Sequence, residues 1–239
     1  DFSPPAQPDG TDSAVAARDQ AAKTIGLGVN RFEWLHRRLD GKQFPAEVLL
    51  TRITFENETV IQAAVRDISE RRRTENISRS RLRLAAAPAE TSANDILRLA
   101  LDEIETNTGS RIGFCHLLST DQETIPLQTW STNTLKYMCT AEGEGTHTPV
   151  SQAGLWAECV RRKEPVIHND FASIEGKKGF PPGHAAVTRE LTVPILRNGK
   201  VVAVLGVGNK PTDYDAADID TALALGNFAW EVASRKRSE

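Results

Sequence analysis

The chain has 239 residues, 39% of them hydrophobic and 26% charged, which suits one or two domains with cores of their own, the first of them small. Its net charge of −3 excludes a global basic field for nucleic acid or an anionic membrane, and the basic run Arg71-Arg72-Arg73 sits between Glu70 and Glu75 as a solvated helix face does. Cys115, Cys139 and Cys159 show no CxxC spacing and read as reduced thiols in a cytoplasmic compartment, while no apolar run approaches the roughly 20 residues of a membrane helix.

The chain starts without Met, at Asp1-Phe2-Ser3, and reads as a fragment. Residues 1–12 are rich in Pro, Asp and Gly and form a loop. Ser13 to Ile25 is Ala-rich and helical in propensity, with Gly26 and Gly28 ending it. Arg31 to Arg37 alternates, with Phe32, Trp34 and His36 on one face. Asp40-Gly41 signals a hairpin, Phe44 to Phe55 a second strand, Glu56-Asn57-Glu58 a turn, and Val60 to Arg66 a third strand. At Val65-Arg66-Asp67-Ile68-Ser69 the strand runs straight into a charged helix that is bounded near Pro88. Ile77 and Leu84 lie seven apart on that helix, a short heptad compatible with a dimeric coiled coil or with a solvated connector.

Ser92-Ala93-Asn94-Asp95 is a capping-box variant, and Leu97, Ala100, Leu101 and Ile104 give the helix that follows one apolar face as far as Thr108-Gly109. Arg111–Leu118 and Ile125–Trp130 read as a strand pair. Residues 131–151 read as irregular, with a short helix at Thr134–Cys139. Ala153 to Arg161 reads as a helix, Pro165-Val166-Ile167 as a short strand, and 169–188 as a long loop. Glu190–Leu196, Asn198-Gly199 and Val201–Val207 form the clearest hairpin, with a type I′ turn. The run from Val201 to Leu205 is apolar on both faces and so is a central strand. A final helix runs from Asp215 to Lys236. The expected fold class is α+β: an antiparallel sheet flanked by helices, preceded by a three-stranded antiparallel unit and a connector helix.

Two resemblances follow from these stretches. Residues 31–75, an aromatic strand, a DG hairpin, a second strand and a strand ending in Asp67-Ile68-Ser69-Glu70-Arg71, resemble the C-terminal half of a PAS domain. Residues 90–237, with LQTWSTNT, AGLWAECVRRKEPVIHND, RELTVPILRNGKVVAVLGVGNKPTDY and the closing FAWE helix, resemble a GAF domain of a bacterial multi-sensor signalling protein. The resemblances imply three parts: a PAS remnant at 1–68, a connector (signalling) helix at 69–89 and a GAF domain at 90–239. They also imply a cytoplasmic, non-catalytic sensor that binds a small molecule and forms a homodimer through its connector and C-terminal helices. Its output domain, a histidine kinase or a cyclic-dinucleotide enzyme, lies outside this chain. Neither nucleic acid nor direct membrane contact is expected, and no cofactor is assigned.

A GAF-type pocket between the sheet and the elements crossing it would draw on Trp130, Leu135, Met138, Cys139, Trp156, His168, Asn169, Asp170 and Arg189. Two indoles, a thioether and a few polar groups suit a small planar or amphipathic ligand. Competing structural roles are core aromatics for the indoles, turn caps for Asn169 and Asp170, and a satisfied core histidine for His168. His147, His168 and His184 lack metal-ligand spacing, so no metal is expected. Bilin-attaching GAF domains can use a Cys-His dipeptide. Here Cys115-His116 lies in a first strand where Ile112, Phe114 and His116 share one side and Gly113, Cys115 and Leu117 the other, which makes Cys115 a packed strand residue. Gly206-Val207-Gly208-Asn209-Lys210 lacks P-loop spacing. Two alternatives stand beside the sensor reading: a ligand-free dimerisation spacer, and a methionine sulfoxide reductase using the three cysteines.

Overall fold

In the computed structural model, residues 2–56, 58–138, 150–174 and 186–238 are described. The chain divides into two compact units, Asp1–Glu75 and Asn76–Glu239.

In the first unit, helix α1 (Ser13–Leu27) starts on Asp12, whose carboxylate accepts from the amides of Ala14 and Val15. The helix runs through Gly26 and stops two residues later than expected, because Gly28 (φ 86°) is the residue that takes the positive φ. Strands β1 (Val29–Arg37), β2 (Gln43–Phe55) and β3 (Glu58–Asp67) follow as an antiparallel sheet in that order. Trp34, Ala46 and Val48 on one face are buried together with Ile68. The indole of Trp34 donates to Ser3 Oγ at 3.0 Å, and Asn30 on the same face reaches Gln20 of α1 at 2.8 Å. β3 is an edge strand with hardly a shielded residue.

The Asp67-Ile68-Ser69-Glu70-Arg71 stretch now has a physical account. Asp67 Oδ1 accepts from the Ser69 amide at 2.9 Å and so caps helix α2 (Ser69–Ala85), and its other oxygen pairs with Arg38. Ile68 anchors the junction in the core, and Arg71 and Arg72 reach back to Glu33 on β1.

The second unit is a five-stranded antiparallel sheet: β4 (Ile112–Leu117), β5 (Leu127–Trp130), β6 (Val166–His168), β7 (Glu190–Arg197) and β8 (Lys200–Gly208), in the order β5-β4-β8-β7-β6. β8 is central, as its two apolar faces require. Asn198 (φ 51°) and Gly199 (φ 74°) make the turn before it with the two positive φ values that type I′ needs. Helices α3 (Ala93–Thr108) and α5 (Ala216–Ser238) cover one face. There Leu101, Ile104, Cys115, Val193, Leu205 and Leu225 form the larger core. Ser92 caps α3 as the capping-box variant implies, accepting from the Asp95 amide at 3.1 Å.

A smaller core lies on the opposite face, where Cys159 and Val160 of helix α4 (Glu158–Arg162) meet Val166, Val201 and Val204. The helix expected over Ala153–Arg161 starts later here, at Leu155, and runs to Arg162. Its first turn, Leu155–Ala157, is 3-10, and the extended Gly154 (φ −75°, ψ −150°) separates it from a further 3-10 turn at Val150–Gln152. No helix among the described residues is long and apolar enough to cross a membrane.

Candidate functional site

Strand register defines the face on which α4 packs. Directly paired residues of antiparallel strands share a face, which gives three transverse rows. The first is Trp130, Phe114, Gly206, Thr192 and Val166; the second is Gln128, His116, Val204 and Pro194; the third is Ile112, Gly208, Glu190 and His168. Gly206 has a reason to be glycine. A Cβ there would stand 2.1 Å from the Phe114 ring, so the ring lies flat across β8 only because that Cβ is missing.

Four rings converge on this face. Phe114 and His116 lie 4.8 Å apart, His116 and Trp156 4.5 Å, Phe114 and Trp130 6.2 Å, and His116 and Trp130 6.3 Å in an edge-on arrangement. The indoles are half-buried and His116 is buried. Burial alone pushes the His116 imidazolium down to about 3, so the ring is neutral near pH 7. His116 was legible only as a strand residue, since Trp130 and Trp156 reach it from distant segments.

Next to these rings is a carboxylate group. Glu190 is buried, and desolvation, with the Glu158 charge second, pushes it up to about 7. Glu158 Oε2 lies 3.2 Å from His168 Nε2, without hydrogen-bond geometry, and Arg162 holds the other Glu158 oxygen at 2.5 Å. The Cys159 thiol donates to the Trp156 carbonyl at 3.2 Å, and burial pushes it up to about 12.

The expected site residues therefore separate. Trp130 and Trp156 come together around His116, and His168 lies at the Glu158 and Glu190 end of the same face. Asn169 instead brackets the backbone of Tyr214, donating to its carbonyl at 3.1 Å and accepting from its amide at 2.7 Å. Asp170 accepts from the Ser173 amide at 3.3 Å in a turn, and Arg189 pairs with Asp213 at 3.0 Å. Leu135 is exposed, on the short helix expected here, which takes π-helical form over Thr134–Met138. Met138 ends that turn, while Cys139, His147 and His184 lie outside the described residues. Cys115 faces the α3 and α5 core, opposite His116. Lys210, the last residue of the glycine-rich run, is paired with Asp218 at 2.6 Å.

The Trp130-Ser131-Thr132-Asn133-Thr134 stretch is a bracket. The Gly113 amide donates to Thr134 Oγ1 at 2.9 Å, and Ser131 and Thr134 share a hydrogen bond at 2.7 Å. Asp102 on α3 accepts from both the Thr132 amide and its hydroxyl at 2.7 Å. Glu105, one turn on, lies by Ser131, and burial pushes its carboxyl up to about 7.

This sheet order, with paired helices on one face and a short helix with aromatic and polar groups on the other, defines the GAF fold. The chain belongs to the GAF domain family, whose profile matches residues 90–232. The GAF domain of an Acinetobacter phosphoenolpyruvate-protein phosphotransferase superposes with a TM-score of 0.57 at 19% identity, over 70% of this chain and 95% of that one. A free methionine-R-sulfoxide reductase from Neisseria meningitidis, solved with its substrate, gives 0.51 at 16% identity, over 70% and 90%. In sequence the chain is 32% identical over 232 residues to the methyl sulfide methyltransferase-associated sensor of Methanosarcina acetivorans. That match takes in 94% of this chain and 23% of the relative, so the chain spans about a quarter of its relative's length.

Proposed function

We propose that this chain is the sensing part of a signal-transduction protein. A small molecule binds on the sheet face that carries Phe114, His116, Trp130 and Trp156, and the response leaves through α2 and α5 toward an output domain outside this chain, a histidine kinase or a cyclic-dinucleotide enzyme. The observation that carries this reading is one turn of α3. Asp102 and Glu105 hold the segment that follows Trp130, and Glu103 between them accepts from Ser80 of α2 at 2.5 Å. A displacement at the site has a packed, polar route to the connector helix.

In this reading residues 1–68 are the C-terminal part of a PAS domain, 69–89 the connector and 90–239 the GAF domain. The chain works in the cytoplasm as a homodimer through its connector and C-terminal helices, and does no catalysis itself. Similarity to a protein named as a sensor, running through nearly the whole chain, supports it. A methionine sulfoxide reductase fits the two described cysteines less well: burial pushes the Cys159 thiol up to about 12, away from the reactive range, and Cys115 faces the helix side.

Mass spectrometry of the purified chain should find a co-purifying small molecule. Spin labels at the exposed positions Leu82 and Arg235 should report inter-protomer distances that change when that molecule is removed. Distances that stay the same would assign the chain as a dimerisation spacer.

A further inference from the structure

His116 is 5% exposed, and its Nδ1 has no hydrogen-bond partner among the described residues. Leaving a buried polar atom unpaired is destabilising, so such an atom calls for an explanation. Its surroundings are Phe114, Trp130 and Trp156, and its cross-strand neighbours are Gln128 and Val204. No charged group contributes to holding its titration down; burial does it alone. A neutral imidazole offers one donor and one acceptor nitrogen, here at the bottom of a set of rings whose two indoles remain half-buried.

We propose that His116 Nδ1 is the hydrogen-bonding anchor of the ligand site, and that the ligand is an uncharged, planar, conjugated ring system carrying a polar edge. The proposal rests on the sensing function above and specifies its ligand class. Three features argue for it. Flat aromatic faces favour a flat aromatic partner, offset-stacked or edge-on. Walls of ring carbon and Val204 penalise a charge brought among them. One buried, unpaired ring nitrogen among three aromatic rings fixes orientation and discriminates against analogues that leave it unpaired. Gly206 adds to this by letting Phe114 lie flat, so the floor beside His116 is itself planar.

Acridone, which is uncharged, tricyclic and planar with one carbonyl and one N–H, is the probe, and its fluorescence anisotropy on the full chain is the readout. Saturable binding to the unmodified chain is expected. His116→Phe keeps a ring and removes the nitrogen, and should weaken binding by about ten-fold; Trp156→Leu should weaken it similarly. His116→Gln, which restores a donor and an acceptor, should recover part of the loss, provided thermal melts show each variant folded. Proflavine, a planar cation, should bind the unmodified chain more weakly than acridone.

Equal acridone affinity in the unmodified chain and in the folded His116→Phe variant overturns the role of His116 and leaves the sensing function intact. Preferential binding of proflavine overturns the ligand class. No saturable acridone binding also overturns the ligand class, and if no small molecule co-purifies the sensing function fails with it.

Discussion

Ser80 on α2 donates its hydroxyl to Glu103 on α3 at 2.5 Å, and Asn107 donates to the Ser80 oxygen at 3.0 Å. The second Glu103 oxygen takes Arg83 at 2.7 Å, so a nearly enclosed carboxylate is satisfied entirely from α2. An enclosed charge is tolerated only with partners of this kind.

Glu103→Ala should therefore destabilise the chain by about 2 kcal/mol, because it leaves the Ser80 hydroxyl and the Arg83 guanidinium without the carboxylate they share. Arg83→Ala should cost less than about 1 kcal/mol, since the guanidinium is half in water. Urea unfolding followed by tryptophan fluorescence measures both, and equal losses would show that the latch works through Arg83 alone.

Gly206→Ala places a methyl group where the Phe114 ring lies. Overpacking of this kind costs about 1–3 kcal/mol. Adding Phe114→Ala should recover part of that loss, because the clash is with this one ring. A double-mutant cycle with no coupling beyond about 0.5 kcal/mol would mean that the strand yields instead of the ring.

Glu190 gives a pH dependence with a definite sign. Its folded-state titration lies near 7 against an ordinary 4.5, so the folded chain holds a proton that the unfolded chain has released. The stability associated with protonated Glu190 is present below pH 4.5 and is lost as pH rises toward 7. Glu190→Gln should match the wild type in acid and exceed it above neutrality by a margin on the order of 3 kcal/mol at most. Parallel melting curves from pH 5 to pH 8 would show that Glu190 is not titrating in this window.

Cys115 and Cys159 are 1% and 0% exposed. Iodoacetamide at mildly alkaline pH should leave both unlabelled in the folded chain and label both in denaturant, as read by peptide mass spectrometry. Labelling of Cys159 in the folded state would contradict its raised titration.

Elements whose reasons are local were legible in the sequence. The Asn198-Gly199 turn needs two positive φ values and shows two residues that supply them. Asp67 and Ser69 carry their own strand end and helix cap, and the two apolar faces of Val201–Leu205 place that strand in the middle of its sheet. The bracket at Ser131–Thr134 read as irregular because its main acceptor, Asp102, lies on another helix. Asn169 and Arg189 are polar residues near a strand edge, which suits a site equally well until Tyr214 and Asp213 appear as their partners. Alternation put His116 on the correct face, yet the rings that enclose it are fixed by tertiary packing.

Asp102 and Glu103 are consecutive, so their side chains leave α3 about 100° apart. One points to the loop beyond Trp130 and the other to α2. The two attachments therefore share a fixed phase, and α3 acts as a cam: turning the helix about its axis moves both together, whereas sliding neighbouring helices past it breaks one before the other. A one-residue insertion anywhere outside this pair would leave the phase intact, and an insertion between the two residues would abolish it while leaving the composition of the helix almost unchanged.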